Sequence, residues 1–206
     1  MEELLRKFNL LLVEKNKIFN LTAHKTEEDS WINNIQDSLL FLQVFPSVAR
    51  LLDLGSGCGC PAIPLKIALP NLDVTMIDSV NKKVGFLNEV INELGLRGIK
   101  AIHTRIEDFT EHAEFDAVTA RAVAPLPTLL EYAIPFLKVG GLLFAFKGSK
   151  AMEEIDSSKN ALKLLGCVVK DVKIHDASRS LIIVKKTKPT DKKYPRGKNL
   201  PRLKPL

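Results

Sequence analysis

Hydrophobic residues follow two kinds of spacing along the chain. Over residues 2–19 and 27–45 they recur at helical spacing, so two amphipathic helices are predicted to begin the chain. Farther on, short apolar runs bounded by glycine, proline or polar residues predict strands, which alternate with segments of helical spacing. The predicted strands are 51–54, 73–78, 99–103, 115–120, 140–147, 167–175 and 180–187, and the predicted helices are 61–69, 80–95, 126–137 and 151–165.

This alternation predicts an α/β fold. Helical crossovers between successive strands require parallel pairing with right-handed connections. The last two predicted strands are joined by a short polar link, so we expect them to form an antiparallel hairpin. We predict one domain over residues 1–206, made of a helical extension (1–47), a core that contains the sheet (48–187) and a basic, proline-rich tail (188–206).

A glycine-rich loop follows the first predicted strand. Asp53 precedes Gly55, Gly57 and Gly59, and glycine allows positive φ angles and close approach of a ligand to the backbone. These four residues are candidate cofactor contacts. Asp78 ends the second predicted strand, 23 residues after Gly55, where its carboxylate could accept hydrogen bonds from a ribose diol. The spacing G-x-G-x-G differs from the dinucleotide pattern G-x-G-x-x-G, which holds a pyrophosphate. The sequence therefore predicts a nucleoside site without a pyrophosphate.

Further candidates come directly after the other strands, because ligands of parallel α/β sheets bind beyond the carboxyl ends of the strands. Ile106 and Glu107 could flank an adenine, by apolar contact and near its amino group; a helix-capping or solvated acid is the alternative for Glu107. Arg121 could hold a cofactor carboxylate or a substrate phosphate, or else form a structural salt bridge. Candidate phosphate contacts are Arg105, Lys147, Arg179 and Arg196.

Basic residues are concentrated at the C-terminus. The formal net charge is +6, and residues 185–206 hold nine Lys or Arg residues and one acid. Such a patch indicates a polyanionic partner, although a solvated tail that only aids solubility would have the same composition. Prolines stiffen the tail, and an aromatic ring could stack on a base. The candidate RNA contacts in the tail are Lys192, Lys193, Tyr194 and Arg196.

Composition excludes several classes of protein. No run of about 18 apolar residues could span a bilayer, and the acids at residues 2 and 3 do not fit a secretory signal. Three cysteines make no even disulfide framework, so we expect a reducing cytoplasm. Cys58 and Cys60 lack the C-x-x-C spacing of zinc sites, and the four histidines show no metal spacing, so we expect no metal. A monomer is the default expectation.

The glycine loop resembles that of class I S-adenosylmethionine-dependent methyltransferases, which implies a Rossmann-like sheet and this cofactor. Enzymes of this class that methylate exocyclic amino groups usually carry an Asn/Asp-Pro-Pro-aromatic motif after strand four, which residues 120–126 lack. A covalent route to pyrimidine C5 is disfavoured because Cys167 lies in an apolar run, where a thiol is inert. A lone pair such as guanine N7 remains, and its methylation needs placement more than a base.

Over nearly its whole length the chain resembles the bacterial 16S rRNA small-subunit methyltransferase G family, also called glucose-inhibited division protein B. The resemblance is carried by Asn20-Leu21-Thr22-Ala23, Trp31, Asp37-Ser38-Leu39, Lys147-Gly148, and residues 52–65, 74–87, 105–109, 120–126 and 188–206. It implies S-adenosylmethionine-dependent N7-methylation of a guanine in 16S rRNA, within a small-subunit particle. It also implies a ribose contact for Asp78 and cofactor contacts for Gly55, Cys60, Ile106, Glu107 and Arg121.

The chain departs from the family pattern at four positions. Cys60 stands where Phe or Leu is usual, Ala62 where Gly is frequent, and Asn34 and Ser180 where His is common. Two other functions fit the same residues. One is methylation of a small molecule or a protein, and the other is a regulator that binds a nucleoside without catalysis.

Overall fold

The computed structural model describes residues 1–40, 42–45 and 50–206. The strands are β1 Arg50–Leu54, β2 Asp73–Asp78, β3 Ile99–His103, β4 Phe115–Arg121, β5 Leu137–Lys147, β6 Cys167–Asp176 and β7 Arg179–Lys186. The α-helices are α1 Glu2–Ile18, α2 Glu27–Ser30, α3 Asp37–Leu39, α4 Ala62–Ala68, α5 Asn81–Glu93, α6 Leu126–Ala133, α7 Ala151–Ser157, α8 Lys159–Leu165 and α9 Leu200–Leu203. A π-helical turn spans Trp31–Gln36, and 3-10 turns span Leu42–Val44, Ile106–Asp108 and Ile134–Phe136.

Within the described residues the strands form a single sheet in the order β3-β2-β1-β4-β5-β7-β6. Strands β1 to β5 pair in parallel, and β7 is antiparallel to both β5 and β6. The chain runs outward from β1 to β3 and then returns to the other side of β1 with β4. At such a switch point the carboxyl ends of the strands open a crevice for ligands. The predicted α/β fold, mostly parallel with an antiparallel terminal hairpin, is confirmed.

Hydrophobic clusters cover both faces of the sheet. Successive residues of a strand point to opposite faces, and β1 shows this directly. Leu51 packs with Phe8 of α1 and Ile63 of α4, whereas Leu52 packs with residues of α6 such as Leu130. Because β1 is buried on both faces, it has apolar residues at both of the neighbouring positions 51 and 52 rather than a strict alternation.

The second predicted N-terminal helix, 27–45, is not continuous. It divides into α2, the π-helical turn, α3 and a 3-10 turn, so the prediction of two uninterrupted helices is wrong in this detail. The carbonyl of Asn33, inside the π-helical turn, accepts a hydrogen bond from Arg121, a partner outside the helix. Phe41, within the predicted helix, and the predicted boundary at residues 47–48 lie outside the described residues.

Three further elements differ from the prediction by more than two residues or are interrupted, and the remaining boundaries shift by at most two residues. Helix α6 ends at Ala133, and the residues up to Phe136 form a 3-10 turn that contains Pro135, which lacks a backbone N–H. Strand β5 begins at Leu137 rather than at residue 140. The predicted helix 151–165 is interrupted at Ser158, whose side chain donates to the carbonyl of Glu154 at 2.6 Å. These changes leave the strand order intact.

Candidate functional site

The glycine loop turns sharply after β1. Gly55, Gly57 and Gly59 have φ angles of +63°, +54° and +89°, which disfavour any residue with a side chain. A Cβ on Gly59 would lie 2.5 Å from Cδ1 of Ile63, and a Cβ on Gly55 would lie 3.1 Å from Cγ2 of Val123. Gly59 is therefore required for packing of the loop on α4, whereas Gly55 keeps open the space between the ends of β1 and β4.

Asp78 joins the end of β2 to the glycine loop. Its Oδ2 accepts from the backbone N–H of Gly57 at 2.8 Å, and its Oδ1 accepts from that of Val80 at 2.8 Å. A carboxylate oxygen has two lone pairs, so both oxygens retain capacity to accept further hydrogen bonds. Asp78 is 6% exposed and lines a cavity beside β2. This placement suits the predicted ribose contact.

Three cavities meet at the carboxyl ends of the strands. The β2–β3 cavity has a volume of about 410 Å³ and lies beside Asp78. The loop cavity, about 540 Å³, lies between the glycine loop and the N-terminal helices, and the β4–β5 cavity, about 470 Å³, lies beyond β4 and β5. Ala122 lines all three and has a φ of +57°, unusual for a residue other than glycine. A group bound at Ala122 would be reachable from each cavity.

The walls of the β2–β3 cavity fit an adenosine moiety. The carboxylates of Asp78 and Glu107 can accept from ribose hydroxyls and an exocyclic amino group, and Ile106 and Val123 supply apolar surface. Glu107 also accepts from the hydroxyl of Tyr132 at 3.3 Å. The structure therefore brings together Gly55, Asp78, Ile106 and Glu107, as the sequence predicts, on the walls of one cavity.

Asp53 lies beneath the glycine loop, and the three cavities described above are lined by other residues. It is 1% exposed, and its Oδ1 accepts from Oγ1 of Thr119 at 2.6 Å. Among the described residues its Oδ2 has no hydrogen-bond partner. Burial raises the pKa of Asp53 to about 6, against hydrogen bonds from Ser56 and Thr119 that lower it. Its position supports the loop from below.

Arg121 ends β4 and points toward the π-helical turn. Its guanidinium donates to the carbonyl of Asn33 at 3.1 Å, to Oδ1 of Asn34 at 3.1 Å and to Asp37 at 3.3 Å. The structural salt bridge considered as the alternative is thus the interaction present in the structure. Arg121 also lines the loop and β4–β5 cavities, so contact with a bound ligand stays a prediction.

Cys58 and Cys60 line the loop cavity next to Arg121. Nη2 of Arg121 lies 3.8 Å from Sγ of Cys58. A hydrogen bond from Cys60 and the charge of Arg121 lower the pKa of the Cys58 thiol, whereas burial and the neighbouring Cys58 raise that of Cys60. The small thiols leave the cavity open where the family usually has Phe or Leu at position 60.

At two further departures from the family pattern, Asn34 and Ser180, the side chains form hydrogen bonds within the protein. Nδ2 of Asn34 donates to Ser30 and Thr22, each at 3.2 Å. The hydroxyl of Ser180 donates to the carbonyl of Gly148 at 3.0 Å. Both positions therefore have structural partners without a histidine.

The three cations near the sheet that are predicted to contact phosphate differ in how far they are already paired with other groups of the protein. Nζ of Lys147 donates to the carbonyl of Ala124 and to Glu154, at 2.7 and 2.6 Å. Arg179 lies 3.4 Å from Asp37, and both cations line the β4–β5 cavity. Arg105 is exposed at the edge of the β2–β3 cavity. Of these three cations, Arg105 presents the most accessible charge.

The basic tail folds back onto the sheet domain, which corrects the expectation for two of its residues. Tyr194 is 6% exposed, so its ring is not available for base stacking. Arg196 donates through Nε and Nη2 to the carboxylate of Glu131, at 2.7 and 2.6 Å, so a free phosphate contact is also wrong. Lys192 and Lys193 are exposed, although Lys193 lies 3.2 Å from Asp191.

Sequence reasoning missed several residues of the β2–β3 cavity. Tyr132 lies within an apolar helix, and Asn199 and Arg202 belong to the basic tail, which the sequence predicts to contact RNA. The available signal was Glu131, because an acid inside an apolar helix must find a buried cationic partner.

The side chains described form no group of His, Cys, Asp and Glu that could hold a metal ion. None of the helices in residues 1–40, 42–45 and 50–206 combines the length and hydropathy needed to cross a bilayer.

Comparisons with known proteins agree with this geometry. The family model GidB, rRNA small subunit methyltransferase G, matches residues 1–182. The ribosomal RNA small subunit methyltransferase G of Desulfitobacterium hafniense (strain Y51) is 45% identical over 204 residues, which cover 95% of this chain and 85% of the relative. The protein of the same name from Lactobacillus johnsonii is 42% identical over 208 residues, covering 95% and 87%.

Solved structures share the fold at low sequence identity. The M. jannaschii TYW2 complex with AdoMet has a TM-score of 0.59 and 19% identity, covering 74% of each chain. The T. thermophilus 16S rRNA N2 G1207 methyltransferase (RsmC), in complex with AdoMet and guanosine, has a TM-score of 0.54 and 21% identity. That match covers 76% of this chain and 40% of the other. Both likenesses show that the sheet described above is shared with proteins whose structures contain bound AdoMet.

Proposed function

The chain belongs to the GidB family of rRNA small subunit methyltransferases G, and from this we infer that it is an S-adenosylmethionine-dependent enzyme that methylates guanine in 16S rRNA. We propose N7 as the methylated atom. The observation that carries the proposal is that three cavities meet at Ala122. One has walls suited to adenosine, and the other two offer room for the amino-acid part of the donor and for an acceptor base.

The chain's own residues would bind and orient the donor. Asp78 would accept from the ribose hydroxyls, while Ile106 and Glu107 would contact the adenine. When bound, the donor supplies an electrophilic methyl group on a positively charged sulfur. Rate enhancement then depends on holding the acceptor atom in line with that methyl group, because correct placement removes much of the entropic barrier.

An N7 acceptor agrees with the groups around Ala122. The N7 lone pair carries no proton, so the reaction needs no general base. Residues 122–125, Ala-Val-Ala-Pro, follow β4 and offer no amide or carboxylate side chain to an exocyclic amino group. Burial raises the pKa of the Cys167 thiol to about 12, which disfavours it as a nucleophile toward pyrimidine C6.

RNA would be held by exposed cations, one at the edge of the β2–β3 cavity and two in the tail. We propose Arg105, Lys192 and Lys193 as phosphate contacts, since their side chains are exposed. We also propose that residues 1–206 act as one methyltransferase domain, as a monomer in the bacterial cytoplasm, on rRNA within a small-subunit particle.

The decisive experiment supplies radiolabelled S-adenosylmethionine. The protein is incubated separately with naked 16S rRNA, small-subunit particles, large-subunit RNA and total protein, and the label is located by nuclease digestion and mass analysis of nucleosides. We expect label as 7-methylguanosine in 16S rRNA only. Label in protein or a small molecule would instead support a different methyltransferase, and donor binding without transfer to any acceptor would support a regulator.

Two variants separate the proposed chemistry from alternatives. Asp78→Ala removes the ribose partner and should lower donor affinity by about 1–3 kcal/mol, as measured by titration calorimetry. Cys58→Ser tests a covalent route through the thiol of the loop cavity. Methylation at N7 needs no thiolate, so Cys58→Ser should retain transfer, whereas loss of transfer with intact donor binding would contradict the proposal.

A further inference from the structure

The last part of the basic tail is an ordered element of the sheet domain. We call residues 194–203 the docked segment. Its first residue, Tyr194, is buried among the side chains that cover one face of the sheet, and its last residues form α9, which packs against α6. Pro201 of α9 is buried as well. The segment is thus anchored by apolar packing at both ends.

Polar contacts to α6 fix the position of the docked segment. Arg196 makes three hydrogen bonds to Glu131, through its backbone N–H at 2.9 Å and its guanidinium at 2.7 and 2.6 Å. The side chain of Glu131 is fully buried, so this charge requires a partner. Thr128, one turn earlier on α6, donates to the carbonyl of Pro201 at 3.0 Å. These bonds hold α9 in register with α6.

The docking places two tail residues on the wall of the β2–β3 cavity. Asn199 and Arg202 line it together with Asp78 at the end of β2 and Glu107 in the turn after β3. Arg202 donates from Nη2 to the carbonyl of Val123 at 3.0 Å, which ties the docked segment to the turn after β4. Tyr132 lines the same cavity, and its hydroxyl donates to Glu107 at 3.3 Å.

We propose that the docked segment is part of the donor site, with Asn199 and Arg202 as binding residues for the adenosine moiety of S-adenosylmethionine. This inference rests on the proposed function. The hydrogen-bonding groups on the cavity wall are complementary to adenine, because the adenine ring carries nitrogens that accept hydrogen bonds as well as an amino group that donates them. Asp78 and Glu107 can only accept hydrogen bonds when ionised, whereas the amide of Asn199 and the guanidinium of Arg202 supply donors.

Two consequences follow for the basic tail. Donor binding and order of the docked segment are linked, since a ligand that contacts the docked form stabilises it by mass action. Deletion of residues 188–206 would therefore remove a wall of the donor site as well as basic charge. A loss of RNA methylation in such a truncated chain could not be assigned to RNA binding alone.

Point variants in the full-length protein separate these effects. Arg202→Met keeps the length of the side chain and removes the guanidinium, and Lys204→Met is the matched control outside the cavity. Asn199→Gly removes the amide without strain, because Asn199 has a φ of +59°. Lys198→Gly is its matched control, since Lys198 is exposed and has a φ of +57°.

The primary measurement is the affinity for S-adenosylhomocysteine, determined by titration calorimetry. We expect Arg202→Met to weaken binding about tenfold, as loss of a hydrogen bond to a charged group implies, and Asn199→Gly to weaken it several-fold. Both controls should remain within about twofold of the wild type. The salt dependence of RNA affinity should change by the same amount in Arg202→Met and Lys204→Met, because each variant loses one positive charge.

Hydrogen exchange of the wild-type protein gives a second measurement that needs no variant. Addition of S-adenosylhomocysteine should protect residues 194–203 more than exposed β6 residues. Unchanged affinity in a folded Arg202→Met variant, or no added protection of the docked segment, would overturn the inference while leaving the proposed function intact. A wild-type protein that does not bind S-adenosylhomocysteine would reject both.

Discussion

Asp53 provides a quantitative test of how the glycine loop is supported. Its carboxyl group is 1% exposed, and burial raises its pKa from 3.8 to about 6. At 1.36 kcal/mol for each pKa unit, ionisation of the buried group costs about 3 kcal/mol of stability. Asp53→Asn removes the titration while keeping the size and shape of the side chain.

The sign of the effect follows from linkage. Because the folded-state pKa is raised, the folded protein holds its proton more tightly than the unfolded chain does. The contribution of the protonated group is fully present below about pH 4 and is lost as the pH rises to about 6. Between pH 4 and pH 7.5 the stability of the wild type should therefore fall relative to Asp53→Asn by about 2.5 kcal/mol.

Urea unfolding followed by circular dichroism at several pH values measures this difference. Any cost of the amide's different hydrogen bonding is independent of pH, so only the change of stability with pH is diagnostic. Thr119→Val removes the hydroxyl that donates to Asp53 at 2.6 Å and should make the decline steeper, whereas Thr119→Ser should keep it. A difference between wild type and Asp53→Asn that stays constant from pH 4 to pH 7.5 would refute the reasoning.

Three further predictions concern the loop and the tail. Gly59→Ala should cost about 2–4 kcal/mol in urea unfolding because of steric overlap at positive φ, whereas Gly57→Ala should cost about 1–2 kcal/mol from the backbone alone; equal losses would contradict the packing argument. Arg196→Ala should lower the Tm by about 10 °C, because the buried Glu131 loses its partner, whereas the control Lys192→Ala should leave the Tm unchanged. An unchanged Tm in Arg196→Ala as well would show that this ion pair contributes little to stability. Combined Lys192→Ala and Lys193→Ala should reduce the log–log salt slope of RNA binding by about two with donor affinity unaltered, and an unchanged slope would remove both residues from the interface.

The local pattern of the chain was sufficient for the sheet. Strand and helix periods are set by neighbouring residues, and parallel pairing follows from the alternation of the two. The glycine loop could be located for the same reason, since positive φ angles restrict the residue type at each position. Gly55, Asp78, Ile106 and Glu107 then fall on one cavity because the carboxyl ends of parallel strands share an edge.

The partners of charged side chains could not be read in the same way. The sequence favoured a ligand contact for Arg121 over a salt bridge, but the structure pairs it with Asp37, 84 residues away in sequence. The break in the second helix has the same origin, because its π-helical turn presents a carbonyl to Arg121. Such choices depend on which distant groups the folded chain brings within hydrogen-bonding distance.

The basic tail shows most clearly what the sequence alone could not predict. By itself the sequence determined its charge and its stiffness, and these are compatible with a free arm or with a docked segment. Only the tertiary structure decided between them, because α6 buries Glu131 and Arg196 supplies the compensating charge from 65 residues away. Hydrophobic periodicity and restrictions on φ depend on residues that are neighbours in sequence, so the sequence alone determines them. The burial of a charge and the partner that compensates it depend on how the whole chain folds.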